Sequence, residues 1–208
     1  MKILALELSS ARGSVAWLNE DVDLAREWPN DRKNSALFFE NLKEISEKFG
    51  AAETIVVGLG PGSYAGTRIA ISAAIGLEVA SNARLVGLPS ICAIECDQDE
   101  YCVIGDARRQ SFFFARIRAN DLIEGPTLVS EAELHGKIDK REEKMSIFAT
   151  EELPQFRRVE VRYPSAVLLA RLARDANRSF VLPPLEPMYL REPHITVPKT
   201  AARSTSTP

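Results

Sequence analysis

Histidine and cysteine are scarce in this chain, and no long apolar run interrupts it. Its 208 residues include two histidines, His135 and His194, and three cysteines, Cys92, Cys96 and Cys102. Two distant histidines do not make the imidazole pair of a metal site. Neither do they sit in a pattern that builds a nucleophile, base and orienter. An odd cysteine count argues against a secreted disulfide scaffold. Cys92 and Cys96 have one-turn helical spacing, which suits a metal or redox pair. No histidine lies near enough to complete the ligands, so small buried apolar side chains are the simpler reading and no metal site is expected. No apolar run reaches the roughly 20 residues of a membrane helix. The N-terminal apolar run is broken by Glu7, so a buried strand is expected there rather than a signal peptide, and the expected location is the cytoplasm. Excess charge of one sign is also lacking. The formal charge of −3 gives no overall pull toward nucleic acid or anionic membrane, so any such site is local.

What is present reads as an α/β chain. Ile3 to Leu8, Ser14 to Leu18 and Val22 to Trp28 form an antiparallel meander, with turn chemistry at Ser9-Ser10-Ala11-Arg12-Gly13 and Asn19-Glu20-Asp21. Residues 35–49 carry Phe38, Leu42, Ile45 and Phe49 on one helical stripe, capped by Asn34 or Ser35 and ended by Gly50. Thr54 to Leu59 and Arg84 to Leu88 are strands, each fed by a helix and therefore parallel. Pro89-Ser90 opens a short helix. Tyr101 to Gly105 and Ser111 to Arg118 form a hairpin, Met145 to Ala149 a strand and residues 165–177 a helix. No element is assigned to the polar stretch after Pro126. The run Pro183-Pro184 to Pro187 is extended, and 196–208 reads as a disordered tail. The expected division is a first lobe over 1–97, a smaller second lobe over 98–195, and that tail.

The helix expected over 64–80 carries only two charges, Arg68 and Glu78. Ile71, Ile75 and Val79 form one apolar stripe. Ile69, Ala73, Gly76, Leu77 and Ala80 form another, nearly opposed to it. A helix on a sheet needs one apolar face, so the second requires another cover, either a helix of the same chain or a partner. Gly66, Ala70, Ala73 and Ala74 are small enough for a close approach. Phe39 adds apolar surface on the preceding helix. The turn before, Gly60-Pro61-Gly62-Ser63, has no Gly-Lys-Ser/Thr ending and lacks the dinucleotide glycine spacing. It reads as a tight strand-to-helix connection in which Ser63 caps the helix, although a helix N-terminus also suits an anion. Arg171, Arg174 and Arg178 form a stripe that either touches RNA phosphates or is a solvated face. Phe112, Phe113 and Phe114 are expected to fill both faces of a sheet.

The run Ile3-Leu4-Ala5-Leu6-Glu7-Leu8-Ser9-Ser10, the run Gly60-Pro61-Gly62-Ser63-Tyr64-Ala65-Gly66-Thr67-Arg68-Ile69, the turn Asp106-Ala107-Arg108-Arg109 and the ending Pro187-Met188-Tyr189-Leu190-Arg191 together resemble the TsaB (YeaZ) family. The resemblance implies an actin/sugar-kinase/Hsp70-like (ASKHA) fold of two RNase H-like lobes, the second reduced. It implies a non-catalytic accessory subunit for N6-threonylcarbamoyladenosine at tRNA position 37. Such a subunit pairs with the transferase TsaD, works with the ATPase TsaE, forms a homodimer when alone, and contacts tRNA only indirectly or weakly. The contact implied uses Phe39, Gly66, Arg68, Ile69, Ala70, Ala73, Gly76 and Leu77.

Departures from relatives of that fold bear on activity. TsaD-like members hold a metal with a histidine pair, and Pro89 to Asp97 contains no histidine. Where the fold's ATPases carry a first-lobe aspartate stands Glu7, although Asp106 is retained. Met145 to Glu152 lacks the adenosine-side glycines. Lys33-Asn34-Ser35 replaces a histidine that many relatives carry. No cofactor is therefore expected on this chain alone, with ATP or ADP confined to the interface of a complex. The alternatives are a small ATPase or phosphotransferase with an anion or nucleotide cleft at Ser9, Ser10, Gly13 and Asp106, or a paralogue that only self-associates.

Overall fold

The computed structural model describes residues 1–20, 23–30, 35–141 and 144–191. They form two five-stranded mixed sheets of the same topology. In the first, β1 (Ile3–Glu7), β2 (Arg12–Leu18) and β3 (Asp23–Pro29) make the expected antiparallel meander. The chain then crosses through α1 (Ala36–Phe49) to β4 (Thr54–Gly58), and through α2 (Tyr64–Ser81) to β5 (Arg84–Leu88). Both β4 and β5 pair in parallel, as the crossovers require. The strand order is β3-β2-β1-β4-β5.

The second sheet repeats this plan. β6 (Glu100–Asp106), β7 (Ser111–Arg118) and β8 (Asp121–Ser130) are an antiparallel meander. α3 (Glu131–Asp139) leads to β9 (Ser146–Ala149), which pairs parallel with β6, and β10 (Val159–Val161) joins β9. The order β10-β9-β6-β7-β8 matches that of the first sheet. This is the two-lobed α/β fold implied by the resemblance. The stretch after Pro126, unassigned from sequence, is the rest of β8 and α3. Ser130 opens α3 with a capping box in which Glu133 reaches back to the Ser130 N–H.

Packing explains the alternation. Phe38, Leu42 and Ile45 of α1 and Ala70, Ile71 and Ala74 of α2 cover one face of the first sheet. The other face is covered by α4 (Ala166–Leu172), shorter than the helix expected over 165–177. This helix follows the second sheet in sequence yet returns to the first, where the Ala166 N–H donates to the buried Ser14 hydroxyl at 3.0 Å. Phe112 and Phe114 face one side of the second sheet and Phe113 the other, as their alternation requires.

The segment after α4 ties the two sheets together. Arg178 donates to the carbonyls of Ala119 and Asn120, each at 3.0 Å, and pairs with Asp121. Val181 then forms an antiparallel bridge with Gly87 on the β5 edge. Leu185 is buried in the first core, Met188 N–H donates to the Leu59 carbonyl at 2.7 Å, and Leu190 packs on the second. Among the described residues no helix is long and apolar enough to cross a membrane. The tail over 196–208 lies outside them, as do Lys33, Asn34 and His194.

Candidate functional site

The Gly60–Arg68 turn is a tight connection against the end of β1. Ser63 N–H donates to the Ser9 carbonyl at 2.6 Å. A Cβ at Gly62 would stand 2.1 Å from that same oxygen, and one at Gly66 would stand 2.1 Å from the Leu8 carbonyl. Both glycines are therefore required by close backbone approach. Ser63 caps α2 as expected, accepting from the Gly66 N–H at 3.3 Å. Ser35 makes no side-chain cap on α1, while Gly50 ends that helix with φ +75°.

Between the sheets lies a cleft of about 550 Å³. Ser9, Ser10 and Asp106 line it; Gly13 does not. A Cβ at Gly13 would meet the Trp28 ring at 2.6 Å, so this glycine makes room for the tryptophan instead. The segment after α4, a strap over residues 178–191, contributes Met188, Tyr189 and Arg191 to the cleft, and Asn30 and Glu151 also line it. These residues come from distant parts of the chain. The only local sign of them was the Pro187 to Arg191 run, read for its resemblance rather than for its position.

The cleft carboxylates are engaged in contacts within the chain. Asp106 Oδ1 accepts from the Arg108 N–H at 2.6 Å, and Oδ2 pairs with the Arg108 guanidinium at 3.1 Å. Arg108, Arg109 and Gln110 hold that turn in the left-handed region, with φ of 65°, 55° and 58°. Glu151 accepts from the Asp106 N–H at 2.7 Å. Glu7 is not in the cleft at all. It is fully buried beneath it, with Oε1 accepting from the Ser9 N–H at 2.6 Å and the Ser9 and Ser90 hydroxyls flanking the carboxyl. Burial pushes its pKa up, against those hydrogen bonds, and favours the neutral acid. The residue that stands where the fold's ATPases carry a first-lobe aspartate is thus a buried group that lines no part of the cleft.

The face expected to meet a partner divides in two. Gly66 and Ala70 belong to the buried side of α2, with Ala70 at 0% exposure inside the first core. They serve the chain's own packing and are not available to a partner. Ile71, the start of one expected stripe, is buried too, whereas Ile75 and Val79 are 41% and 81% exposed. The buried face instead runs through Thr67, Ala70, Ile71 and Ala74. Ile69, Ala73 and Leu77 are partly covered, and Gly76 faces open space, with no atom within 4 Å of a Cβ built on it. Phe39 is 50% exposed and Leu37 42%. Arg68 is exposed beside Tyr64.

Other constellations resolve structurally. The arginine stripe is mostly committed: Arg178 is clamped to the β7–β8 turn and Arg174 donates to the Asn19 carbonyl. Cys92 lies in a short 3₁₀ turn, Ser90–Ala93, that ends before Cys96, so the two are not on one helix. All three cysteines are free, and burial pushes the Cys92 thiol up to about 12. His135 sits on α3 with its ring 4.7 Å from that of Phe156. Among the described residues no group of three metal-ligating side chains occurs.

No curated protein matches the chain. Among the solved structures that share its fold are two with the YeaZ name in their descriptions. One is a Pseudomonas aeruginosa protein described as having similarity to peptidase YEAZ, with TM-score 0.71 and 21% identity, covering 91% of this chain and 99% of that one. The other is YeaZ from Pseudomonas aeruginosa, with TM-score 0.67 and 20% identity, covering 83% of this chain and 90% of that one. The family described as TsaD, tRNA N6-adenosine threonylcarbamoyltransferase, matches residues 35–190. That span is most of the chain, which therefore belongs to the TsaD family and carries the YeaZ fold.

Proposed function

We propose that this protein is an accessory subunit of tRNA N6-threonylcarbamoyladenosine synthesis, without catalysis of its own, that docks on a TsaD-type transferase. The observation that carries the reading is the uncovered apolar surface of α1 and α2, which lie on the same side of the first sheet. Phe39, Leu37 and Ile75 are each more than two-fifths exposed, and Val79 is 81% exposed. Alongside them run the partly covered Ile69, Ala73 and Leu77. Clustered exposed apolar residues on neighbouring helices suit a protein contact. An exposed apolar face of this kind also suits a homodimer in the absence of the transferase.

The cleft supports the non-catalytic part of the reading, since Asp106 is committed to Arg108 and Glu7 is sealed in the core. On this reading a nucleotide and TsaE engage only the assembled complex, and tRNA is held chiefly by the transferase. The test is pairing of the purified chain with the host transferase. Ala73→Glu should abolish the complex while leaving the melting temperature of the isolated chain nearly unchanged. Pairing of Ala73→Glu at wild-type affinity would place the contact elsewhere. Turnover of Mg-ATP by the isolated chain would favour the ATPase alternative.

A further inference from the structure

We infer that Arg68, braced by Tyr64 and Tyr189, is a preformed receptor for a carboxylate side chain of the protein that docks on α2; this rests on the reading just given. Arg68 stands on the exposed first turns of α2 and makes no ion pair among the described residues. Its guanidinium lies over the Tyr64 ring at 5.1 Å and donates to the Tyr64 hydroxyl. The Tyr64 and Tyr189 rings sit 5.5 Å apart, and both are exposed, at 52% and 40%. Tyr189 is positioned from both sides in sequence: Met188 N–H donates to the Leu59 carbonyl, and Leu190 packs on the core of the second sheet. The three side chains are thus held by one helix and by the strap that crosses the cleft.

Charge selects the occupant. Arg68 is the only charged residue in the first half of α2, whose N-terminal end is itself electropositive. Arg108 and Arg191 line the cleft that Tyr64 and Tyr189 also line, with Arg191 donating to the Arg108 carbonyl at 3.4 Å. The acids that line the cleft make contacts elsewhere, Asp106 with Arg108 and Glu151 with the Asp106 N–H. An exposed guanidinium with no carboxylate partner among the described residues, fixed by stacking, has its donors oriented for an incoming carboxylate and loses little freedom on binding it. Tyrosine and arginine together are also the composition of interface anchors. Arg68 lies on the same helix as the Ile69–Leu77 surface, so one docked protein reaches both.

The experiment measures binding of the full-length chain to the transferase at low and high salt, with Arg68→Glu, Arg68→Lys, Tyr189→Phe and Ala73→Glu beside the wild type. Arg68→Glu is expected to weaken the complex by about tenfold or more and to flatten its salt dependence, with its melting temperature unchanged. Arg68→Lys should keep the salt dependence with a smaller loss, and Tyr189→Phe should weaken binding by a few-fold. Wild-type affinity and salt dependence in Arg68→Glu overturn the receptor while leaving the helix-face reading intact. So does an Arg68→Glu variant that keeps the protein complex but loses tRNA from it, since the occupant is then a phosphate. Unchanged binding by Ala73→Glu, with loss in Arg68→Glu, overturns the helix face and keeps the receptor. A wild-type chain that does not bind the transferase overturns both.

Discussion

Glu7 occupies the space that a side chain at Gly58 would need: a Cβ built there would stand 1.7 Å from Glu7 Oε2 and 2.5 Å from Ser90 Oγ. Gly58 closes β4 beside β1 at the floor of the inter-lobe cleft. Gly58→Ala should therefore destabilise the chain by roughly 1 to 3 kcal/mol, the usual cost of overpacking a filled core. Urea unfolding measures this as a lower midpoint. Pairing it with Glu7→Ala, which vacates the space, should recover part of the loss, so the two changes should be non-additive.

The same carboxyl makes stability depend on pH. Its pKa is raised above 4.5 by burial in the folded state, so the folded chain holds a proton that the unfolded chain has released. Its contribution is fully present below about 4.5 and is lost as pH rises toward the folded value, by up to about 1.4 kcal/mol per pH unit. Glu7→Gln is the neutral mimic, able to accept from the Ser9 N–H and to donate to a serine hydroxyl. It should match the wild type near the acid end and exceed it in stability at neutral pH. Parallel pH profiles for the two proteins would show that Glu7 does not titrate in this window.

How much was legible follows from the kind of signal each element carries. The first meander and its two crossovers have strong apolar runs and clear breakers, and they read well. β8 did not, because its residues alternate only between half-covered and exposed, and Gly125-Pro126 interrupts the run. The buried face of α2 differs from the isoleucine stripe because small residues, not the largest apolar ones, meet the sheet. The helix approaches β1 so closely that it buries Gly66, Thr67 and Ala70, while Ile75 and Val79 remain outside. Periodicity marks where large apolar residues fall, whereas close approach selects small ones. Motif position suffices for Ser9, Ser10 and Asp106 in the cleft but fails for Gly13, grouped with them, which lies outside it. The Arg178 strap and Tyr189 depend on contacts across the whole chain, which no local pattern encodes.

The strap is a load shared by a few contacts, with Arg178 the most committed. Its side chain is 9% exposed and serves two carbonyls and a carboxylate. Arg178→Ala removes these charge-assisted hydrogen bonds and should cost about 1.5 to 3 kcal/mol. The loss should be local first: amide exchange should accelerate at Val181 and Met188, whose N–H groups are bonded to Gly87 and Leu59, before the β1 and β4 amides respond. Uniform acceleration across the chain would show that the segment does not open separately.

Thiol reactivity should divide the cysteines. Burial pushes Cys92 up to about 12 and Cys102 up to about 11, so neither offers thiolate near neutral pH. Cys96 is only partly covered. A disulfide reagent should modify one thiol in the native chain, Cys96, and all three after denaturation. Cys96→Ser should leave the native chain essentially unreactive.

Two glycines of α2 should respond in opposite directions. At Gly66 a Cβ would lie 2.1 Å from the Leu8 carbonyl oxygen, a backbone atom that cannot yield without moving β1. Gly66→Ala should therefore lower stability by more than about 2 kcal/mol, despite alanine's better helix propensity. At Gly76 the same methyl meets nothing within 4 Å, so propensity alone decides, and Gly76→Ala should raise stability by about 0.5 to 1 kcal/mol. Ala70→Arg belongs with Gly66, since Ala70 has 0% exposure, and it would report folding rather than pairing. Melting temperatures of the three variants as isolated chains decide the matter. A Gly76→Ala variant destabilised even at dilutions where the chain is monomeric would mean that this face is already packed within the chain, and the uncovered surface attributed to α2 would have to be withdrawn.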